Sequence, residues 1–205
     1  MSDGIVYVVD DNAAVRDSLS LLLTAAGYVV VSFKCALEFL DGYKPGTPGC
    51  IILDVDMPGM TGPALQEELA RRDVPLPVIF LSGKGTIPVT VRTIKAGALD
   101  FLTKPVDRQL LLATVQKALE QSLLRQKQAE TFQSIALRMA SLTEREREVM
   151  KFAVAGQSNK EIAQHLGISH RTVEIHRIHV MHKTGAANLL ELARIVDTFE
   201  SHQTP

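Results

Sequence analysis

Hydrophobic residues in the first half of the chain form short continuous runs that alternate with longer amphipathic stretches. Runs rich in Val and Ile are typical of parallel strands that are buried on both faces of a sheet. The predicted strands are 5–9, 29–33, 50–54, 78–82 and 99–103. The stretches with helical periodicity are 12–26, 36–42, 62–72 and 86–97. Strands that alternate with helices in this way predict an α/β domain with a doubly wound, five-stranded parallel sheet.

The pattern changes in the middle of the chain, where the prolines also stop. Eight of the nine prolines lie at or before Pro105, and a long stretch without proline favours helix. A fifth helix is predicted to begin near Asp107. The face of this helix that we expect to pack on the sheet consists of Leu110, Leu111, Thr114 and Ala118. Residues 121–141 are polar and rich in Gln, which predicts a helical linker and leaves a coiled-coil seam open.

The last part of the chain reads as a small all-α domain. Three glycines each follow a helical pattern and divide it into four predicted helices. These helices are 143–155, 159–166, 169–184 and 188–200. Thr143 and Glu146 have the spacing of a capping box at the first helix, and the second and third helices have the spacing of a helix-turn-helix. We therefore predict domains at 1–120 and 142–205, joined by a linker at 121–141.

Composition narrows the class of protein. The chain has 205 residues, of which 46% are hydrophobic, and a formal net charge of −1, which is ordinary for folded domains. It shows neither a secretory signal pattern nor an apolar run near the ~18 residues that a membrane span needs. Cys35 and Cys50 are too few for a disulfide scaffold or a zinc site. We therefore predict a cytoplasmic protein with no membrane partner.

Acidic, hydroxyl and basic residues follow four of the five predicted strands. Asp10 and Asp11 follow the first strand, Asp54 ends the third, Ser82 ends the fourth and Lys104 follows the fifth. In a doubly wound sheet, ligands bind outside the carboxyl ends of the strands, so we expect these side chains to converge. Crowded carboxylates require a hard divalent cation with oxygen ligands, and Mg²⁺ suits them best.

This set of residues is suited to phosphoryl transfer. A carboxylate can attack phosphorus to give an acyl phosphate, while a metal ion and a lysine offset the charge on the phosphoryl oxygens. Asp54 is the predicted nucleophile, because it is central and a turn at 57–59 exposes it. Asp56 is predicted to offer its backbone carbonyl to the metal. Each residue taken alone could simply be a turn or cap residue, so the prediction rests on the joint pattern.

Longer segments then resemble a known family. VYVVDD, LDVDMPGMTG, FLSGKGTIPVTVRTIKAGALDFLTKP and the terminal helix-turn-helix look like a two-component response regulator of the FixJ/NarL class. The GxGTIPxTVxxIKAGAxDFLTKP run favours the FixJ-like branch. Such proteins have a flavodoxin-like receiver domain and a LuxR-type DNA-binding domain, and the resemblance covers essentially the whole chain.

The resemblance implies roles for individual residues and partners. By it, Asp54 is the phosphoacceptor, Asp10 and Asp11 are the metal carboxylates, and Lys104 is the lysine of the site. Ser82 corresponds to the hydroxyl switch, as a mild departure from Thr, and Phe101 to the switch aromatic. The bond between Lys104 and Pro105 is expected to be cis. The implied partners are a sensor histidine kinase, double-stranded DNA, a second copy of the chain on phosphorylation, and RNA polymerase.

The third helix of the last domain is the predicted reader of DNA. The formal charge is −3 over residues 1–120, from 11 basic against 14 acidic residues, and +2 over 121–205, from 11 against 9. Val173 and Val180 share the core face, and the opposite face would enter the major groove. Arg171 suits guanine, Glu174 suits cytosine and Ile175 a thymine methyl. The predicted DNA contacts are Lys160, Arg171, Thr172, Glu174, Ile175, Arg177, Ile178 and Lys183, with Lys160, Arg177 and Lys183 on phosphates.

The same sequence raises three other hypotheses. An aspartate-nucleophile phosphatase would use Asp56 as general acid, but it would also need a substrate cap that the short loops do not offer. A regulator that acts without phosphorylation is compatible with the same sequence. A metal sensor built on His176, His179 and His182 is disfavoured, because these residues drift around the helix and no neighbouring carboxylate or cysteine completes a ligand set.

Overall fold

The computed structural model describes residues 4–83 and 87–201. The chain divides into two compact units, Met1–Lys127 and Gln128–Pro205, and the division falls inside the segment that was predicted as a linker. Within the described residues, no helix combines the length and the hydropathy that crossing a membrane requires.

The first unit is built on a five-stranded parallel sheet, as predicted. Its strands are β1 Ile5–Val9, β2 Val29–Phe33, β3 Gly49–Asp54, β4 Val78–Ser82 and β5 Asp100–Thr103. They lie in the order β2-β1-β3-β4-β5. The strand order reverses at β1, so β1 and β3 are neighbours and their carboxyl ends form the switch point where such sheets bind ligands.

Helices cover both faces of this sheet. They are α1 Ala13–Ala25, α2 Ala36–Gly42, α3 Gly62–Arg71, α4 Ile87–Lys95 and α5 Arg108–Ala140. Thr86, where α4 was predicted to begin, lies outside the described residues. Along β1, Val6 and Val8 belong to one buried cluster and Tyr7 and Val9 to the other. This alternation places a hydrophobic core on each face and explains why the strands are continuously apolar.

Helix α5 differs in one respect from its prediction. Leu111 and Ala118 are fully buried against the sheet, and Thr114 is also buried, but Leu110 is 51% exposed. Leu110 and Leu111 are separated by about 100° around the helix, so only one of them can face the core. The buried stripe continues through Val115, and the prediction for Leu110 was therefore wrong.

Residues 121–140 are helical throughout the end of α5, and they make specific contacts at both ends. In the first unit, the backbone N–H of Gly49 donates to the Ser122 hydroxyl at 3.0 Å, and the Gln126 amide donates to the Gly46 carbonyl at 3.2 Å. In the second unit, Ile135 and Met139 belong to a buried hydrophobic cluster. The predicted linker therefore contributes to the packing of each unit.

The second unit contains four further helices. They are α6 Glu144–Val154, α7 Asn159–Leu166, α8 His170–Thr184 and α9 Leu189–Ser201. Gly167 ends α7 with a φ of 65° and Gly185 ends α8 with a φ of 73°, a left-handed conformation that favours glycine. Val173 and Val180 are buried in two hydrophobic clusters, as predicted.

Candidate functional site

The strand ends bring the predicted carboxylates together. Asp10 follows β1 and Asp54 is the last residue of β3, and each is almost fully buried. The prediction that the turn at 57–59 exposes Asp54 was therefore wrong. Carboxylate oxygens of Asp10, Asp11 and Asp54 lie within 4.8 Å of one another. Asp11 is exposed and borders the pair on its solvent side. This set of oxygen donors fits the ligand preference of Mg²⁺.

Lys104 connects the two buried carboxylates. Its ammonium donates to Asp10 Oδ2 at 2.6 Å and to Asp54 Oδ1 at 2.6 Å. The backbone N–H of Lys104 also donates to the Ser82 carbonyl at 2.8 Å, just beyond the paired ends of β4 and β5. The bond between Lys104 and Pro105 is cis, which confirms what the family resemblance implied. One lysine thus joins residues that lie 94 and 50 positions away in the sequence.

The electrostatics of the site follow from burial and pairing. Burial raises the pKa of Asp54, and the nearby Asp10 adds to the rise, although the Lys104 ammonium partly offsets both effects. Burial alone would lower the pKa of Lys104, but its hydrogen bonds to Asp10 and Asp54 outweigh this and raise it. Lys104 therefore remains a cation across the physiological range.

Backbone groups hold the remaining carboxylate oxygens. The Asn12 N–H donates to Asp10 Oδ1 at 2.9 Å, and the Asp56 N–H donates to Asp54 Oδ2 at 3.1 Å. Asn12 also caps α1 by accepting from the backbone N–H groups of two residues in its first turn. These contacts fix the carboxylate orientations before any ligand binds. The side chain of Asp56 itself is exposed.

Arg16 is a further member of the site that the sequence analysis missed. Its guanidinium donates to the backbone carbonyls of Asp10 at 2.8 Å and Asp11 at 3.0 Å. Arg16 lies on the first turns of α1, so it can reach back over the end of β1. The sequence offered no signal for this contact beyond an arginine one turn into the helix.

The loop after Asp54 is held close to the strand that it leaves. The Gly62 N–H donates to the Val55 carbonyl at 3.0 Å. A Cβ atom at Gly62 would overlap the Asp54 carbonyl oxygen and would lie 3.0 Å from the Phe80 ring. Glycine at the start of α3 therefore permits the close approach of this helix to the phosphoacceptor candidate.

The two predicted switch residues, Ser82 and Phe101, lie on β4 and β5. Ser82 is the buried last residue of β4. Phe101, on β5, is partly buried and stacks on the fully buried Phe80, with 6.1 Å between ring centroids. Ser82 thus accepts from the Lys104 backbone N–H through its carbonyl, and Phe101 lies three residues before Lys104 in the chain.

In the second unit, the exposed face of α8 carries the predicted base-reading residues. Arg171 and Ile175 are exposed, Ile178 is 64% exposed, and Glu174 is half-buried. Arg171 pairs with Glu174 at 3.0 Å between side chains on the same exposed surface. Thr172 is partly buried and its hydroxyl lies 2.8 Å from the hydroxyl of the N-cap residue Ser169. The helix therefore presents a mixed polar and apolar face.

The three cationic residues predicted to contact phosphates differ in their exposure and in their hydrogen-bond partners. Lys160 is exposed. Arg177 is half-buried and donates to the Asn159 side chain at 2.7 Å. The Lys183 ammonium donates to Glu146 Oε2 at 2.7 Å and to the Ser141 carbonyl at 3.3 Å. Lys183 therefore takes part in an ion pair within the domain, with a side chain that is 32% exposed, and its contact with phosphate stays a prediction.

Glu146 is the centre of that ion pair. It completes the capping box of α6 by accepting from the Thr143 N–H at 2.8 Å, as the spacing predicted. Burial alone would raise its pKa, but hydrogen bonds from Lys183 and Thr143 outweigh burial and lower the pKa to about 2. Glu146 also approaches His176 and His179 within 4.8 Å. The expectation that no carboxylate accompanies these histidines was therefore wrong.

Comparisons with known proteins identify two domains in this chain. Residues 6–116 match the response regulator receiver domain, and residues 140–196 match the bacterial regulatory proteins of the luxR family. The transcriptional regulatory protein FixJ of Bradyrhizobium diazoefficiens is 43% identical over 192 residues, which is 94% of each chain. TdiR of Thauera aromatica is 42% identical over 198 residues, covering 96% of this chain and 87% of that protein.

Solved structures lead to the same family. The response regulator StyR matches with a TM-score of 0.90 and 40% identity, covering 95% of this chain and 98% of that one. Full-length FixJ from B. japonicum matches with a TM-score of 0.60 and 41% identity, covering 98% and 99%. Two domains in this order, together with relatives that are similar over nearly the whole length, show that the chain belongs to the two-component transcriptional response regulators of the FixJ-like, LuxR-type class.

Proposed function

We propose that Asp54 accepts a phosphoryl group from a sensor histidine kinase, and that the modified protein regulates transcription through α8. The observation that supports this most directly is the ammonium of Lys104, which donates to both Asp10 and Asp54 at 2.6 Å. It places a fixed positive charge beside the carboxylate oxygen that would attack phosphorus. Buried and oriented charges of this kind are what phosphoryl transfer requires.

The chemical step uses residues already in position. An oxygen of Asp54 attacks phosphorus, a bond forms between that oxygen and phosphorus, and the bond from phosphorus to the donor nitrogen of the kinase breaks. Asp10, Asp11, Asp54 and the backbone carbonyl of Asp56 would hold Mg²⁺, which when bound offsets charge on the phosphoryl oxygens. Three carboxylates against one ammonium leave two negative charges, so a divalent cation balances the site.

The product would then act through the strands beside it. Ser82 is close in the fold to the phosphoacceptor and would hydrogen-bond a phosphoryl oxygen, and Phe101 would change its packing in response. We propose that this change favours pairing of two copies through the surface of α4 and β5. Pairing would place two copies of α8 on two half-sites of double-stranded DNA, and RNA polymerase is the proposed further partner.

Phosphorylation of Asp54 is tested with a small phosphodonor on the full-length protein. We expect about one label per chain when Mg²⁺ is present, and none after chelation. Asp54→Asn should take up no label, whereas Asp41→Asn, at an exposed carboxylate of α2, should label normally. Labelling of Asp54→Asn would overturn the assignment. Continuous turnover of the donor would instead indicate a phosphatase, for which the exposed Asp56 is the candidate acid.

Control of DNA binding by this reaction needs a separate measurement. Bound sequences are selected from a random DNA pool with and without phosphodonor, and the oligomeric state is followed by analytical ultracentrifugation. We expect dimer formation and tighter, sequence-selective binding on phosphorylation. Equal affinity and an unchanged monomer in both conditions would support a regulator that works without phosphorylation.

A further inference from the structure

A cluster of nitrogen and oxygen donors lies in the second unit, far in sequence from the acidic site. Glu146 is in the first turn of α6, and His176 and His179 are one turn apart on α8. One ligand atom from each residue lies within 4.8 Å of the other two. Donors at this separation can share one metal ion, because metal–nitrogen and metal–oxygen bonds are about 2.0–2.2 Å long.

The two oxygens of Glu146 have different surroundings. Oε2 accepts from Lys183 at 2.7 Å and from the Thr143 N–H at 2.8 Å. Oε1 lies 3.6 Å from His179 Nδ1, which is too long for a hydrogen bond. The carboxylate can therefore keep its ion pair through Oε2 while Oε1 faces the imidazoles. The side chain is 4% exposed, so water gives it little competition.

His176 supplies an independent observation. Its Nδ1 atom is buried and has no hydrogen-bond partner among residues 4–83 and 87–201. A buried nitrogen without a partner costs free energy, so such a group in a native structure requires an explanation, and a bound ion is one of them. Imidazole nitrogens are the commonest metal ligands in proteins.

We propose that Glu146, His176 and His179 bind a divalent transition-metal ion of the Zn²⁺ class. Two imidazoles and one carboxylate suit Zn²⁺, with water in a fourth position, whereas Mg²⁺ prefers oxygen donors alone. This site is thus chemically distinct from the acidic site at Asp54. A bound ion would cross-link the first turn of α6 to α8, next to the exposed Ile175 and Ile178.

Zinc binding is tested by calorimetry on full-length protein that carries no polyhistidine tag. Saturating Mg²⁺ is present throughout, so that Zn²⁺ binding at the acidic site does not contribute to the measured heat. We compare the wild type with His179→Ala, which removes an exposed ligand, and with His182→Ala as the matched control. His182 is exposed, lies three residues further along α8 and does not belong to the cluster.

We expect His179→Ala to weaken Zn²⁺ binding at least tenfold and His182→Ala to leave the affinity unchanged. Visible absorption of bound Co²⁺ gives a second readout, since loss of an imidazole alters its coordination. Zn²⁺ should also raise the melting temperature of the wild type and of His182→Ala more than that of His179→Ala. Equal affinities for the two variants, or Zn²⁺ binding too weak to change the melting temperature, would overturn the proposal.

Discussion

The acidic site takes its side chains from the ends of four strands, whereas the exposed face of α8 takes them from one helix. Lys104 reaches carboxylates 94 and 50 positions away. Arg171, by contrast, pairs with Glu174 only three positions further along the same helix. One site depends on the packing of the whole sheet, and the other depends on a single element.

The acidic site and the exposed face of α8 also differ in how deeply their charged side chains are buried. Asp10 is 2% exposed and the Asp54 residue 6%, so their charges interact through protein rather than water. Arg171, with a side chain that is 79% exposed, interacts with Glu174 in high dielectric. A covalent reaction needs charges fixed beforehand, whereas a DNA-reading face acquires its partners only on binding.

The largest effect should come from a side chain added at the start of α3, where this helix passes close to Asp54. Gly62→Ala would place a Cβ against the Asp54 carbonyl and the Phe80 ring. Because the buried backbone of Asp54 cannot shift without disrupting its surroundings, we expect the free energy of unfolding to fall by about 4 kcal/mol, or the protein not to fold. Urea unfolding measures it. Gly83→Ala, whose Cβ meets no described atom within 4 Å, is the control and should unfold nearly as the wild type does. A Gly62→Ala stability within ~1 kcal/mol of wild type would contradict the close approach.

The next effect concerns the ion pair between Lys183 and Glu146. Lys183→Ala leaves Glu146, 4% exposed, without its cation. We expect the free energy of unfolding to fall by about 2–3 kcal/mol, since a buried charge without a partner is costly. In the double variant Glu146→Gln with Lys183→Met, part of the loss should be recovered. If Lys183→Ala melts like the wild type and only weakens DNA binding, phosphate contact was the better interpretation.

Recognition of DNA should depend on Arg171 without any contribution to stability. We expect Arg171→Ala to lose about 1–3 kcal/mol of binding to a selected operator and to relax specificity at one position. Its melting temperature should be unchanged. Lys160→Ala is the comparison: it should weaken binding to all sequences alike and lower the slope of affinity against salt by about 1. Titration on operator and random DNA at several salt concentrations distinguishes them.

The smallest effect belongs to an exposed pair on the same helix as Glu146. Arg145 and Glu148 lie 2.8 Å apart, with side chains 55% and 40% exposed. We expect Arg145→Ala to change the free energy of unfolding by no more than ~0.5 kcal/mol, because water screens the pair. A change as large as that for Lys183→Ala would show that burial does not distinguish the two ion pairs.

The fold was predictable because its signals are local. Continuous apolar runs gave all five strands, and the capping box at Thr143 correctly located the start of α6. The assignment of Leu110 to the core failed because two adjacent leucines compete for one helix face. Only the tertiary packing decides that Leu111 is the buried one.

The acidic site was predictable because the carboxyl ends of parallel strands lie at the same edge of the sheet. The roles of its residues remain proposals, but their convergence follows from that rule. Glu146 was predictable only as a cap, since its pairing with Lys183 joins residues 37 positions apart on different helices. The sequence pattern of α8 contains no information about a carboxylate that α6 supplies. The cluster of Glu146 with His176 and His179 was not predicted for the same reason.

Strand order also sets how amide hydrogens in the sheet will exchange with solvent. β1 and β3 are hydrogen-bonded to strands on both sides, whereas β5 is an edge strand with one neighbour. Partial opening that frees β5 would carry Lys104 away while Asp10 and Asp54 stay on protected strands. Such a molecule would keep most of its secondary structure, but its acidic site would lack the Lys104 ammonium. Deuterium uptake at 100–103 should therefore track the loss of labelling competence under mild denaturant, well before uptake at 49–54.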